Sequence, residues 1–464
     1  MNIVLLLVVK ILYMAVITFG LPDSYELWDF CKDINWYYLP IELVFFALAS
    51  GIIYKECNTN NPYGLFSILT FIIAYIPANS CLSMSNYDFN YYLVLNIYFM
   101  VVFAVSRLLA VKYYNATRIS SIHLNLEENV NRVGIPGNAR LTKYFRYGEK
   151  YRVMLIRSFM VLLCITIMLY VYSYNGIDIK VLFTSMYETR AEYSEYLADR
   201  TGSLISYLAM IIFGVATWGI PIYLFYSVVN NKIFDSCLSV LTYFCMYMME
   251  MQKSTLMIIP VILMLAIWKK LKSKRTITDI MIKSSVVLFI VSLFEIVICQ
   301  DSIICNLIIR RMFYMPTYLS KIFYDYFSGN GSLWLTHDVF LLSNVLSKMF
   351  GSADTTSAIK TISESAFSGY IISPNTGFFA EAYLQFGYCG VIIHPVILGY
   401  LTYVLRKTSA WYTPGAELCV MMRWSLVVLN NQVLTSARLV GIIGFVMITI
   451  AIKTLKSIDR GGAY

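Results

Sequence analysis

Long apolar runs separated by short polar segments dominate the chain. A helix needs about 20 mostly apolar residues to cross the hydrocarbon core of a bilayer, which is roughly 30 Å thick. Twelve runs approach or reach this length, and we predict a transmembrane helix for each of them. They are 2–20, 37–54, 64–82, 90–111, 153–172, 203–229, 234–250, 254–268, 284–300, 385–405, 416–433 and 437–453. The pattern predicts an all-α, polytopic membrane protein that forms one integral domain over residues 1–464.

The pair of runs at 234–268 has an alternative interpretation, and the first run could be mistaken for a signal peptide. Only a three-residue turn at 251–253 separates runs 234–250 and 254–268, so a re-entrant pair is the alternative there. We expect the first run to be retained rather than cleaved as a signal peptide. No basic leader precedes it, and Lys10 lies in its middle.

Composition supports the bilayer as the solvent of this chain. Apolar residues make up 59% of it, charged residues make up only 14%, and the mean hydropathy is +0.65. These values exclude an ordinary soluble globular protein. The net charge of +9 does not indicate nucleic acid as a partner, because the excess lies in loops whose orientation and contact with anionic membrane lipids explain it.

The distribution of Lys and Arg predicts the orientation in the membrane. Basic residues concentrate in loop 112–152 and in segment 269–275, whereas loop 21–36 carries four carboxylates against one lysine. Basic loops stay in the cytoplasm. Both termini are therefore predicted to be cytoplasmic. A first loop at 173–202 and a large, mostly helical loop at 301–384 then face the periplasm.

Arginines on the predicted periplasmic side are candidates for binding phosphate, because a guanidinium group presents a fixed fork of donors. Arg190 follows two residues after Glu188, and Arg310 and Arg311 come directly after the ninth predicted span. Snorkelling of the arginine pair towards lipid phosphates is the alternative explanation. Positive charge on the outer side opposes the orientation bias, which favours a functional reason.

Two further stretches of the large loop contain candidate groups for acid–base chemistry. His337 has the side chain best suited to accept a proton near neutral pH, and a surface histidine is the alternative. Residues 373–390 read SPNTGFFAEAYLQFGYCG; they include Asn375 in a turn and Glu381 near the membrane face. Gly387 and Gly390 flank the tenth span, where small residues permit close backbone approach.

The order of these features resembles the O-antigen polymerases of the Wzy type. The resemblance covers the whole chain at the level of architecture, and at the level of residues it depends on four stretches. They are YETR at 187–190, QKS at 252–254, RRMFYMPTYLSKIFYDYF at 310–327 and the 373–390 stretch.

This resemblance implies a glycosyltransferase of the bacterial inner membrane that joins undecaprenyl-diphosphate-linked oligosaccharide repeat units. Such a reaction needs cations for the leaving diphosphate and a base for the acceptor hydroxyl. Arg190, Arg310, Arg311 and Lys253 are candidates for the cations, and Glu381 and His337 are candidates for the base. Asn375 is a candidate for holding a sugar hydroxyl. No metal or other cofactor is implied. A chain-length regulator protein and membrane lipids are the expected partners.

Two other activities fit the same architecture. A lipid-linked oligosaccharide flippase has a similar number of spans, but it would have short outer loops and charges distributed through both halves of the bundle. An O-antigen ligase uses the same donor with a different acceptor, and the sequence does not separate it from a polymerase. The chain contains no GxxxxGK[ST] phosphate loop, so ATP is not the expected energy source.

Overall fold

A computed structural model of the chain describes most of the predicted spans. The described residues are 2–20, 34–85, 87–131, 154–169, 203–250, 253–271, 275–299, 303–332, 362, 377–410, 412, 415–430, 433–434, 439 and 441–451. Side chains are described for these residues except 116–131, 203–211, 249–250, 253–257, 307 and 430.

The described residues are organised almost entirely in helices, and they include no β-strand. In chain order, the main helices are α1 Asn2–Gly20, α2 Leu39–Ile53, α3 Pro62–Asn79, α4 Phe89–Asn131, α5 Met154–Leu169, α6 Ser203–Val229, α7 Ile233–Glu250, α8 Lys253–Lys270, α9 Ile277–Phe294, α10 Met315–Asn330, α11 Gly377–Phe386, α12 Gly390–Ser409, α13 Ala416–Asn430 and α14 Gly441–Ala451. The all-α prediction is confirmed for this part of the chain.

The chain divides into two compact units. The first comprises residues 1–110, 274–410 and 420–440. Within it, α1 packs against α9, and α11 packs against both α10 and α12. Two segments with π-helical hydrogen bonding, Glu295–Cys299 and Cys305–Tyr314, extend α9 and precede α10.

The second unit comprises residues 111–273, 411–419 and 441–464. Helices α6, α7 and α8 pack against one another within it. Asp235 of α7 accepts hydrogen bonds from Arg157 of α5 at 2.6 and 3.1 Å. Gly214 of α6 and Gly441 of α14 meet so closely that a Cβ on Gly214 would lie 2.1 Å from the Cα of Gly441. These contacts join α5 and α14 to the three central helices of this unit.

Within the part of the chain that the structure describes, seven helical segments are long and apolar enough to cross a membrane. They are Asn2–Gly20, Trp36–Ile53, Pro62–Asn79, Phe89–Asn115, Ile212–Val229, Ile277–Cys299 and Gly377–Ser409. Three shorter apolar helices are Met154–Leu169, Ile233–Met248 and Gly441–Ala451. Each of the twelve predicted spans overlaps a described helix. The chain is therefore a helical protein with membrane-spanning character, and the full set of twelve crossings stays a prediction.

Helix α3 has a different environment from the other candidate spans. All residues of its apolar stretch are buried (100%), whereas only 17% of those in the apolar stretch of Ile277–Cys299 are buried. A helix that is apolar all round belongs in the interior, and one that exposes apolar side chains to its surroundings faces lipid. Helix α3 contains a π-helical turn at Phe71–Tyr75, just before Pro77. Proline has no N–H to continue the ladder, so a local change of hydrogen bonding is expected there.

A buried ion pair connects three helices of the first unit. The Lys10 ammonium of α1 lies 3.0 Å from the Glu42 carboxylate of α2, and the two side chains are 2% and 0% exposed. Lys10 also donates to the Asn79 side-chain oxygen of α3 at 2.6 Å. Glu42 accepts the Ser83 N–H at 2.8 Å and the Ser83 hydroxyl at 3.1 Å. Every charge in this cluster thus has several partners.

The structure covers two of the three predicted loops in part. Helix α4 continues to Asn131, so the first half of the basic 112–152 segment is helical. No Gly or Pro occurs between Leu108 and Asn131, and the first such residues, Gly134 and Pro136, follow soon after. Within 301–384, residues 303–330 and 377–384 are helical. The loop at 173–202 lies outside the described residues.

Candidate functional site

The structure describes some of the predicted site residues and not others. Arg190, His337 and Asn375 lie outside the described residues. Lys253 is the first residue of α8, and its side chain is not described. Arg310, Arg311 and Glu381 are described, and all three belong to the first unit. The roles expected of the others stay predictions.

Arg310 and Arg311 lie on the π-helical segment Cys305–Tyr314, and both are half-buried. Phe313 anchors this segment, because it is 3% exposed and its ring packs 5.2 Å from that of Phe289. Burial raises the pKa of the Cys305 thiol to about 12, although the charge of Arg310 acts in the other direction. Cys305 is therefore a protonated, apolar neighbour of the arginine pair rather than a nucleophile.

Glu381 lies in the middle of α11 and is fully buried. One of its carboxylate oxygens accepts the backbone N–H of Leu434 at 2.5 Å, and the other accepts that of Val433 at 2.8 Å. The second oxygen also lies 3.2 Å from Nε2 of His394 on α12. Glu381 therefore connects α11 to α12 and to the two backbone amides that follow α13.

His394 extends this network towards Tyr98 of α4. The imidazole is fully buried, and its Nδ1 lies 2.8 Å from the Tyr98 hydroxyl. A neutral imidazole satisfies both neighbours when Nε2–H donates to Glu381 and Nδ1 accepts from the Tyr98 hydroxyl. The arrangement carboxylate–imidazole–hydroxyl has the order in which a carboxylate orients a histidine base. We call Glu381, His394 and Tyr98 the buried relay.

A turn between α11 and α12 brings Glu381 and His394 together. Residues 13 positions apart on one straight helix would be separated by about 20 Å along its axis. The 3₁₀ turn Gly387–Cys389 folds the chain back instead. Gly387 has φ of +55°, and a Cβ on Gly390 would lie 2.1 Å from the Ala382 carbonyl oxygen. The close backbone approach expected of these glycines is thus present. It brings the Glu381 and His394 side chains of the relay within reach of each other.

The phenol end of the relay lies beside a small apolar cavity. The Tyr98 hydroxyl is 3.3 Å from the Phe378 carbonyl oxygen, and the Tyr98 ring contacts that of Phe378 at 5.6 Å. Phe378 also lines the cavity, together with Phe99, Pro316, Thr317 and Leu429. Helix α10, which follows the arginine pair directly, therefore contributes to the same wall as the N-terminus of α11.

Two relay residues were not predicted from the sequence. His394 lies within the tenth predicted span, and Tyr98 lies within the fourth. An ionisable residue inside a span is itself a signal of function. That rule points to His394, which is one of only three histidines in the chain. Tyr98 carries no comparable signal, because tyrosine is abundant here, with 38 in the chain.

Comparisons with known proteins add no functional assignment. No protein-family model matches the chain, and neither a curated protein nor a solved structure is significantly similar to it. Among the residues that the structure describes, no group of three His, Cys, Asp or Glu side chains is placed to hold a metal ion.

Proposed function

We propose that the chain polymerises oligosaccharide repeat units linked to a polyprenyl diphosphate, as the resemblance to O-antigen polymerases implies. In this reaction a sugar hydroxyl of the incoming unit attacks the anomeric carbon of the growing glycan. The new glycosidic C–O bond forms, the bond to the diphosphate oxygen breaks, and the hydroxyl proton goes to a base. The diphosphate leaves with its negative charge.

The observation that carries this proposal is the buried relay, because it supplies an oriented base in the same unit as the arginine pair. Both Glu381 oxygens already accept backbone N–H groups, so we assign the proton to His394 and the orienting role to Glu381. The acceptor hydroxyl passes its proton to the Tyr98 oxygen while the Tyr98 proton moves to Nδ1 of His394. The imidazolium that forms is stabilised by the Glu381 carboxylate.

The arginine pair has the complementary role. Negative charge develops on the diphosphate as its bond to the anomeric carbon breaks, and fixed guanidinium donors stabilise such charge without a metal. Arg310 and Arg311 are half-buried, which leaves part of each side chain accessible to a ligand. Helix α10 joins them to α11, because it follows the arginine segment directly and packs against α11.

The class of activity is tested by the lipopolysaccharide banding pattern of a strain that lacks this gene. Core that carries a single repeat unit is the result expected for loss of a polymerase. Bare core would refute the proposal and would indicate a flippase or a ligase instead. Complementation with the intact gene is the control.

Single substitutions test the roles within the relay. Glu381→Gln and His394→Gln are each expected to lower the polymerisation rate by about 100-fold or more, because a positioned general base contributes that much. Rates are compared at equal amounts of membrane-inserted protein, because a merely structural role would lower that amount instead.

Glu295→Gln is the matched control, since its carboxylate accepts the Ile304 N–H at 2.8 Å in the same unit but takes no part in the relay. It is expected to leave the rate unchanged. Normal polymer from both relay variants at wild-type protein levels would show that the base lies elsewhere.

A further inference from the structure

A group of tyrosines lies at the C-terminal ends of α10 and α11. Tyr324 and Ser328 belong to α10, Tyr383 belongs to α11, and Tyr388 lies in the 3₁₀ turn after it. The Tyr324 and Tyr388 hydroxyls are 3.2 Å apart, and the Tyr383 hydroxyl is 3.0 Å from that of Ser328. We call these four residues the tyrosine edge. They bring four hydroxyl groups together on one border of the first unit.

The ring of Tyr388 is exposed and yet held in a defined orientation. The residue is 62% exposed, whereas Tyr324 and Tyr383 are 6% and 2% exposed. Its ring is nearly perpendicular to both of theirs, at 87° and 86°, with ring centroids 6.5 and 5.4 Å away. The contact to the Tyr324 hydroxyl fixes its other end. One face of an exposed aromatic ring is thus oriented in advance for a ligand.

Polar groups and an apolar stripe meet at this ring. Asp325, Ser328 and Asn330 are exposed along the neighbouring end of α10. In the other direction, Ile392, Val396 and Tyr400 follow Tyr388 along α12 at four-residue spacing, and they are 63%, 56% and 66% exposed. Residues four apart lie on one face of a helix, so this stripe faces lipid.

The combination fits an amphiphile with a sugar head and an apolar tail. Sugar rings present C–H groups on one face, which pack against aromatic rings, and hydroxyl groups at their edges. Tyr and Ser hydroxyls both donate and accept hydrogen bonds, and carboxylate and amide oxygens accept them. Burial and the neighbouring Tyr388 hydroxyl raise the pKa of Tyr324, so its hydroxyl keeps its proton. A lipid without a sugar head would need only the apolar stripe on α12 and not the hydroxyl groups of the tyrosine edge.

We propose that the tyrosine edge binds the sugar next to the lipid carrier of a polyprenyl-linked oligosaccharide, with the Tyr388 ring stacked on that sugar and the polyprenyl chain along the Tyr388–Tyr400 stripe. The identity of the ligand depends on the proposed function. The placement of the sugar on Tyr388 is independent of which residues perform the chemistry.

The test measures binding to the full-length protein in lipid nanodiscs by saturation-transfer NMR. One probe is the oligosaccharide that mild acid releases from the lipid-linked pool of the strain that carries the gene. The second probe is undecaprenyl diphosphate without sugar. Tyr388→Ala is expected to weaken binding of the oligosaccharide about 10-fold, which is the effect of losing one well-placed aromatic contact. Tyr388→Phe keeps the ring and is expected to bind within about 3-fold of wild type.

Tyr54→Ala is the matched control, because Tyr54 is 63% exposed in the same unit but belongs neither to the tyrosine edge nor to the stripe. It should leave binding of the oligosaccharide unchanged. If Tyr388→Ala binds the oligosaccharide like wild type, the inference is wrong. It is also wrong if Tyr388→Ala weakens only the binding of undecaprenyl diphosphate, since Tyr388 would then anchor the helix to lipid.

The outcomes separate this inference from the proposed function. A single repeat unit on core in the deletion strain, together with normal binding by Tyr388→Ala, would refute the sugar site alone. Bare core in that strain, together with selective loss of oligosaccharide binding in Tyr388→Ala, would refute the polymerase and retain the sugar site.

Discussion

Replacing Lys10 by methionine would leave the Glu42 carboxylate buried without its cation. At the observed separation of 3.0 Å, two unit charges attract each other by about 5.5 kcal/mol at an effective dielectric constant of about 20. Removing one partner of a buried pair typically costs about 3–5 kcal/mol. Glu42 keeps its two hydrogen bonds from Ser83, so we expect Lys10→Met to lower the free energy of unfolding by about 3 kcal/mol, at the low end of that range.

The double variant Lys10→Met/Glu42→Gln tests the electrostatic origin of this cost. It removes both charges and retains an acceptor for Ser83. We therefore expect it to be more stable than Lys10→Met alone, and the double-mutant cycle to give a coupling energy of about 2 kcal/mol or more. Unfolding is followed by circular dichroism during titration of the micelle-embedded protein with sodium dodecyl sulfate.

Lys283→Met provides the matched control. Lys283 pairs with Asp279 at 2.8 Å, but their side chains are 37% and 12% exposed. Exposed pairs of this kind contribute up to about 1 kcal/mol. Equal effects of Lys10→Met and Lys283→Met, or strict additivity in the cycle, would refute the assignment of Lys10 and Glu42 as a coupled buried pair.

Two further outcomes are expected. Gly214→Ala should destabilise the protein by about 1–3 kcal/mol, because its Cβ would lie 2.1 Å from the Cα of Gly441; Gly219→Ala on the same helix meets nothing within 4 Å and should not. The unfolding titration checks both, and equal stability of the two variants would contradict the close helix contact. Alkaline-phosphatase fusions after residue 340 should be active and those after residue 130 inactive, as the basic loops predict. The reverse pattern would overturn the predicted orientation.

The sequence predicts where helices lie much better than it predicts which of their faces meet. Long apolar runs locate α1 and α3 to within about three residues, because span length and hydropathy are local properties of the chain. Partners of buried polar groups depend on packing between distant helices. Lys10 is visible in the sequence as a charge within a span, but Asn79, its partner, is 69 residues away. Nothing in the local pattern identifies that pairing.

Local turns of π-helix show the same limit. The sequence places Arg310 and Arg311 just beyond a span, but it does not predict that the segment that carries them is π-helical. The hydrogen-bond pattern there changes by one residue per turn, and this rotates the side chains that follow relative to an α-helix. Which side of the segment each guanidinium group occupies therefore depends on geometry that apolar periodicity does not encode.

The buried relay shows how a residue can be assigned correctly to a region while its chemistry remains hidden. Glu381 is a candidate from the 373–390 stretch, and the glycines of that stretch indicate close backbone approach. The partner of Glu381 lies beyond the turn, inside an apolar run that hydropathy alone assigns to lipid. Because Gly387–Cys389 folds α12 back on α11, His394 faces Glu381 rather than the bilayer. When an apolar span that follows a glycine turn contains a polar residue, its first candidate partners are thus the polar residues just before that turn. The fold-back of the chain places them within hydrogen-bonding reach.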